Sequence, residues 1–193
     1  MQTSGFVLLG LGTVALVYII LIYNNLVRLK HTVSRAWSDI DVMLKQRHDE
    51  LPKLVSVCQE YMAYEKDTLE KIVQARSAVA NASQQQNIKR LGLAESQLRR
   101  GLCSLFALAE NYPELKANES FQHLQSRITE LENSIADRRE LYNDSVNLNN
   151  VRIEQFPDVI VASLIRFRGF DLLEFTAEEK ADINIKVLFN RQA

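Results

Sequence analysis

Apolar positions along this chain form one unbroken block and then settle into steps of three and four. The block, GFVLLGLGTVALVYIILIY from Gly5 to Tyr23, carries no charged residue in nineteen positions. Wound as a helix rising about 1.5 Å per residue, it spans about 28 Å, close to the thickness of a bilayer's hydrocarbon core. The prediction is a short segment, residues 1–4, leading into a single transmembrane helix over residues 5–23, with Tyr23 placed as an interfacial aromatic. A cleaved signal peptide is the competing reading. It asks for a basic n-region, a shorter apolar stretch and a small-x-small cleavage site, and the sequence offers none of them.

Beyond the block, Leu26, Leu29, Val33, Trp37, Ile40, Leu44, Leu51, Leu54, Cys58 and Tyr61 mark one helical face. Leu69, Ile72 and Val79 continue it, predicting a helix over about residues 24–79 with Arg47 at the linking seam position. Pro52 removes one backbone hydrogen bond, yet the spacing keeps its phase, so a kink is predicted there. A break into two antiparallel helices, capped by Asp49, is the alternative. The stretch ANASQQQN at 80–87 reads as a polar connection. Ile88, Leu91, Leu98, Leu102, Leu105, Ala109 and Tyr112 define a second helix, 88–112, ended by Pro113. Asn118 is placed to cap a third, 118–156, carrying Phe121, Leu124, Ile128, Leu131, Ile135, Tyr142, Val146, Ile153 and Phe156, and closed by Pro157. The tail, 158–193, contains VIVASLI, LLEF and INIKVLF, apolar pieces expected to dock on the helices. Seamed helices joined by short connections pack antiparallel. The predicted fold class is therefore all-α, a single N-terminal transmembrane helix followed by an antiparallel up-and-down helical bundle over 24–157.

Composition narrows the function. Lys plus Arg number 23 against 24 Asp plus Glu, a net charge of -1, so no basic field gathers phosphate backbones and no nucleic-acid partner is expected. Six Gly and three Pro leave no spacing for a phosphate-cradling loop. Residues 1–4 lack Lys and Arg while Arg28, Lys30 and Arg35 follow the block, which predicts an outside N-terminus and a cytoplasmic bundle. Cys58 and Cys103 both lie among apolar helix positions, as reduced core cysteines would.

Two charged residues interrupt the predicted seams. Glu95 falls between Leu91 and Leu98, and Arg138 between Ile135 and Tyr142. In a hairpin of the second and third helices they come within about a turn of each other, and a buried pair Glu95–Arg138 is the candidate polar site. It is expected to fix register, with a ligand or proton site as the alternative. A di-iron carboxylate centre needs two Glu-x-x-His motifs and two further Glu. The sequence has none, His31, His48 and His123 being otherwise spaced, and no metal, cofactor, catalytic residue or small-molecule substrate is predicted.

The strings AWSDIDVMLKQRHDELPKLV (36–55), LFALAENYPELKANESFQHLQ (105–125), ENSIADRRELYND (132–144) and EQFPD (154–158) closely resemble the LemA protein family. The motif positions are Trp37, Asp41, Pro52, Tyr112, Pro113, Lys116, Glu132, Asn133, Arg138, Tyr142, Asn143, Phe156 and Pro157. The resemblance implies a bacterial membrane-anchored helical bundle and carries over no reaction, cofactor or catalytic residue. The sequence leads to a non-enzymatic interaction or scaffold protein. It would be anchored to the cytoplasmic membrane through residues 5–23 and hold an unidentified protein partner or copies of itself. The alternative is a periplasm-facing sensor or ligand-binding bundle built around Glu95 and Arg138.

Overall fold

A computed structural model describes residues 2–174 of the 193, and every element in that range is helical. The order is α1 (Gln2–Tyr61), α2 (Lys66–Gln84), α3 (Ile88–Ala109), α4 (Pro113–Lys116), α5 (Glu119–Glu154) and α6 (Asp158–Leu164). The fold is all-α, as the periodicity predicted. The expectation for the tail beyond Glu174, including INIKVLF, lies outside the described residues.

The apolar block and the seam after it form one helix. α1 runs through Tyr23 without interruption, and Pro52 sits inside it. The chain breaks instead at 62–65, where Glu65 N–H donates to the Met62 carbonyl. The sequence hid this turn because Tyr61 and Leu69 are eight residues apart, two helical steps of four, so the apolar phase survives the break. α2 then extends through most of the predicted polar connection, leaving only 85–87 as a turn, with Gln86 at a φ of 50°. Asn87 starts α3 by accepting a hydrogen bond from Arg90 N–H at 3.0 Å. Pro113 stands at the first position of α4, where its missing N–H has no helical partner to lose. Asn118 caps α5 as expected, accepting from Phe121 N–H at 3.0 Å.

The chain divides into two compact units, neither of which ends where the apolar block ends. Among the described residues, one comprises the chain up to Leu44 with Glu132–Leu172, and the other comprises Lys45–Leu131 with Leu173 and Glu174. In the first, Ile22 and Leu26 of α1 pack against Val161 and Ala162 of α6, with Ile153 and Phe167 beside them. Trp37 and Tyr142 meet edge to face, ring centroids 5.8 Å apart. In the second, the buried α1 residues are Leu51, Leu54, Val55 and Cys58, with Leu69, Ile72 and Val79 buried on α2 and Leu91, Leu98, Leu102 and Leu105 on α3.

Most of the apolar block has no protein around it. Leu8, Leu16 and Leu21 are 70%, 59% and 60% exposed, whereas Ile22 is 5% exposed. Thr13 turns its hydroxyl onto the Leu9 carbonyl at 2.9 Å, so this polar side chain is satisfied within the helix. A helix apolar all round and uncovered is long and apolar enough to cross a membrane.

Candidate functional site

Two of the buried charges among the described residues lie on the seams of α1 and α3. Arg47 occupies the seam position between Leu44 and Leu51, and Glu95 that between Leu91 and Leu98. Arg47 is 1% exposed and Glu95 is 5% exposed, and an Arg47 Nη2 hydrogen bond to Glu95 Oε1 closes an ion pair between them. This corrects the expected Glu95–Arg138 pair. Arg138 is exposed, and Arg139 takes the inward position. A strict three-four alternation after Ile135 lands on residue 138, but a helix of 3.6 residues per turn drifts from that repeat. α5 absorbs the drift with two steps of four, 131–135–139. The signal that finds the true partner was already in the sequence, since Arg47 is the one charged residue on the α1 seam. A guanidinium and a carboxylate enclosed this way hold two helices in register and offer little to a ligand.

One turn further along α1, Pro52 shapes a second polar cluster. With no N–H on Pro52, the carbonyl of His48 four residues earlier loses its helical partner. Arg76 of α2 replaces it, its Nε donating to the His48 carbonyl at 2.9 Å. Its Nη2 lies 2.7 Å from His48 Nε2. That contact asks for a neutral ring accepting at Nε2. Burial first, and the Arg76 charge second, lower the His48 pKa below the usual imidazole value, against a raising contribution from Asp49. The family-motif proline is thus matched by an arginine on the neighbouring helix that the sequence did not single out.

The motif residues around 112–118 tie down one end of the helices. Asn118 Nδ2 donates to the Tyr61 hydroxyl at 3.1 Å, and the Tyr112 hydroxyl donates to Glu65 Oε1 at 3.4 Å. Lys116 pairs with Glu110 on the surface. Capping and turn-making account for this cluster.

In the unit containing α6, the motif tyrosine Tyr142 donates its hydroxyl to the Asp171 carbonyl at 3.0 Å. Burial, with Asp171 as a smaller cause, raises its pKa to about 12. Asn150, a position the sequence left unassigned, accepts from Phe170 N–H at 3.0 Å and donates to the Phe170 carbonyl at 2.9 Å. Its side-chain amide pairs with both backbone groups of Phe170, as a neighbouring strand would. Gly169 leaves room for this pairing, since an added Cβ would lie 3.0 Å from Asn150 Oδ1 and the amide would have to shift to accept it. Of the remaining motif positions, Asp41, Pro52 and Asn133 are exposed, and Glu132 and Asn143 are half-buried. Phe156, expected on the seam of the third helix, is 81% exposed, because α5 ends at Glu154.

The cysteines separate. Cys58 is fully buried, with burial pushing its thiol to about 12, while Cys103 is exposed one residue off the α3 seam, which corrects its expected place in the core. Among the described residues no group of three or more His, Cys, Asp and Glu side chains converges as a metal site would require. Open clefts of about 490 and 500 Å³ flank α2, one beside Gln59, Met62 and Val73, the other beside Gln74, Gln97 and Arg100. Neither includes Arg47, Glu95 or Arg138 in its lining.

Comparison with known proteins agrees with this frame. Magnetosome protein MamQ 2 of Paramagnetospirillum magneticum is 24% identical over 182 residues, covering 82% of this chain and 66% of that protein. Magnetosome protein MamQ of Magnetospirillum gryphiswaldense is 23% identical with the same coverage, so the chain spans just under two thirds of the length of these relatives. Protein LemA of Metamycoplasma hominis is 26% identical over 189 residues, covering 96% of this chain and 84% of that protein. The LemA family profile matches residues 36–189, most of the chain beyond the apolar block. With that match on a helical frame carrying an apolar, uncovered N-terminal helix, this chain belongs to the LemA family and is a membrane-associated all-α protein.

Proposed function

We propose that this protein is a membrane-tethered interaction module, without chemistry of its own, that holds a protein partner or further copies of itself beside the bacterial cytoplasmic membrane. The observation that supports this reading is the continuity of α1. One helix, Gln2–Tyr61, carries both the uncovered apolar turns and, directly after them, the buried seam of Leu26, Val33 and Ile40. A tether of that kind fixes the height and rotation of the helices packed on that seam, which a flexible linker does not. The basic residues Arg28, Lys30 and Arg35 just beyond the span favour a cytoplasmic position for the helices that follow.

A single cysteine at Gln85, in a background of Cys58→Ala and Cys103→Ala, tests the reading in intact spheroplasts with a membrane-impermeant maleimide. The expected result is no labelling until lysis, followed by stoichiometric labelling. Labelling of intact spheroplasts would place the helices outside and favour a ligand-binding sensor instead. That sensor would need a pocket other than the one first argued for it, because Glu95 is closed by Arg47 and Arg138 is exposed.

A further inference from the structure

α6 presents apolar side chains on both of its faces. Val161 and Ala162 are buried against Ile22 and Leu26 of α1. The opposite face is apolar too, with Ile160 58% exposed and Leu164 82% exposed, and Phe156 at 81% stands just before the helix. The one hydroxyl on that face, Ser163, is turned onto the Ile160 carbonyl at 2.9 Å. The one charge on α6, Asp158, is buried and paired with Arg152. Water is a poor solvent for such a surface, and soluble proteins seldom leave one uncovered.

Its neighbours identify the occupant. Ile22 belongs to the last turn of the apolar block, so the cluster of Ile22, Leu26, Val161 and Ala162 fixes α6 within about one helical turn, roughly 5 Å, of where α1 leaves the hydrocarbon. Exposed cations stand around that level. Arg28 and Lys30 follow on α1, Arg166 and Arg168 follow α6, and Lys30 Nζ lies 5.9 Å from the ring of Phe167. Apolar side chains bordered by cations, next to a spanning helix, match the boundary between acyl chains and anionic headgroups.

Resting on the reading of residues 5–23 as a membrane span, we infer that α6 is a second membrane contact, its Ile160 and Leu164 face, with Phe156, inserted into the anionic lipid interface that α1 crosses. Two contacts on one unit restrain its tilt and rotation about α1, which a lone span leaves free.

The test uses the full chain in vesicles of phosphatidylcholine and phosphatidylglycerol, with Trp37→Phe removing the native indole and one tryptophan introduced at a time. Leu164→Trp reports on α6, Phe156→Trp provides a second reporter, and Ile20→Trp reports on the span. Bromines placed shallow or deep on the acyl chains quench by depth. The expected result is roughly twofold or greater quenching at positions 164 and 156, stronger with shallow than with deep bromines, as for side chains 5–10 Å into the interface. Quenching at 20 with red-shifted, unquenched emission at 164 and 156 would overturn the inference and leave the span intact. Blue-shifted but unquenched emission at 164 would overturn it in favour of a protein cover, such as a second copy. No quenching at any of the three positions would remove the span and the inference together.

Discussion

Replacing Arg76 by Met removes the donor that stands in for the amide missing at Pro52. The Arg76 Nε–His48 carbonyl bond, at 2.9 Å and partly buried, is charge-assisted, and losing it leaves an acceptor without its partner. The expected destabilisation is about 1–3 kcal/mol. Pro52→Ala restores the backbone N–H that can reach the same carbonyl from within the helix. In that background Arg76→Met should cost less, because the carbonyl is already satisfied and only the contact with His48 Nε2 is lost. The two substitutions should therefore couple by about 1 kcal/mol, within the range for residues sharing one hydrogen-bonding group. The four proteins, full-length in dodecylmaltoside, would be unfolded in urea and followed by helical circular dichroism. Additivity within about 0.3 kcal/mol would refute the claim that Arg76 and Pro52 serve the same carbonyl.

Three further outcomes follow from the buried groups. Glu95→Leu leaves the Arg47 charge enclosed and should cost about 3–5 kcal/mol. Glu50→Ala, which breaks the surface pair with Lys53, should change the same urea titration by about 1 kcal/mol or less, and equal effects would argue against burial as the cause. A maleimide at pH 7.5 should modify Cys103 alone in the folded protein and both cysteines after denaturation, read by intact mass; prompt native labelling of Cys58 would contradict its buried thiol. Because the folded state lowers the His48 pKa, the unfolded chain binds the proton more readily, and stability should fall as pH drops below about 6.5. His48→Gln should lose that part of the pH dependence, and parallel stability–pH curves for the two proteins would refute it.

The apolar block, the three long seams and the Asn118 cap were legible because each rests on local periodicity or a local hydrogen bond. Errors arose where phase alone decided. The 62–65 turn was invisible because it spans two helical steps, and Arg138 was chosen over Arg139 because a heptad count does not show where a helix inserts its extra residue. Pro52 predicts a lost backbone hydrogen bond, and the group that replaces it lies on another helix, in an arginine 24 residues away whose role depends on tertiary approach. Asn150 gave only a hint, its poor helix propensity, shared with Asn143 and Asn149. The exposed face of α6 was hidden by its composition, since VIVASLI reads as a core segment unless the membrane is counted as a solvent.

The account depends most on α1 running as one helix from the bilayer into the unit where Trp37 meets Tyr142. Spin labels at Asn24→Cys and Val42→Cys, both exposed, in a background of Cys58→Ala and Cys103→Ala, would measure this by pulsed dipolar spectroscopy in lipid nanodiscs. An unbroken helix predicts a narrow distribution centred at about 27 Å between the two backbone positions, from 18 residues at the helical rise. A broad distribution, or one centred well below that distance, would mean that the chain bends or unwinds between span and bundle, and would contradict the rigid tether.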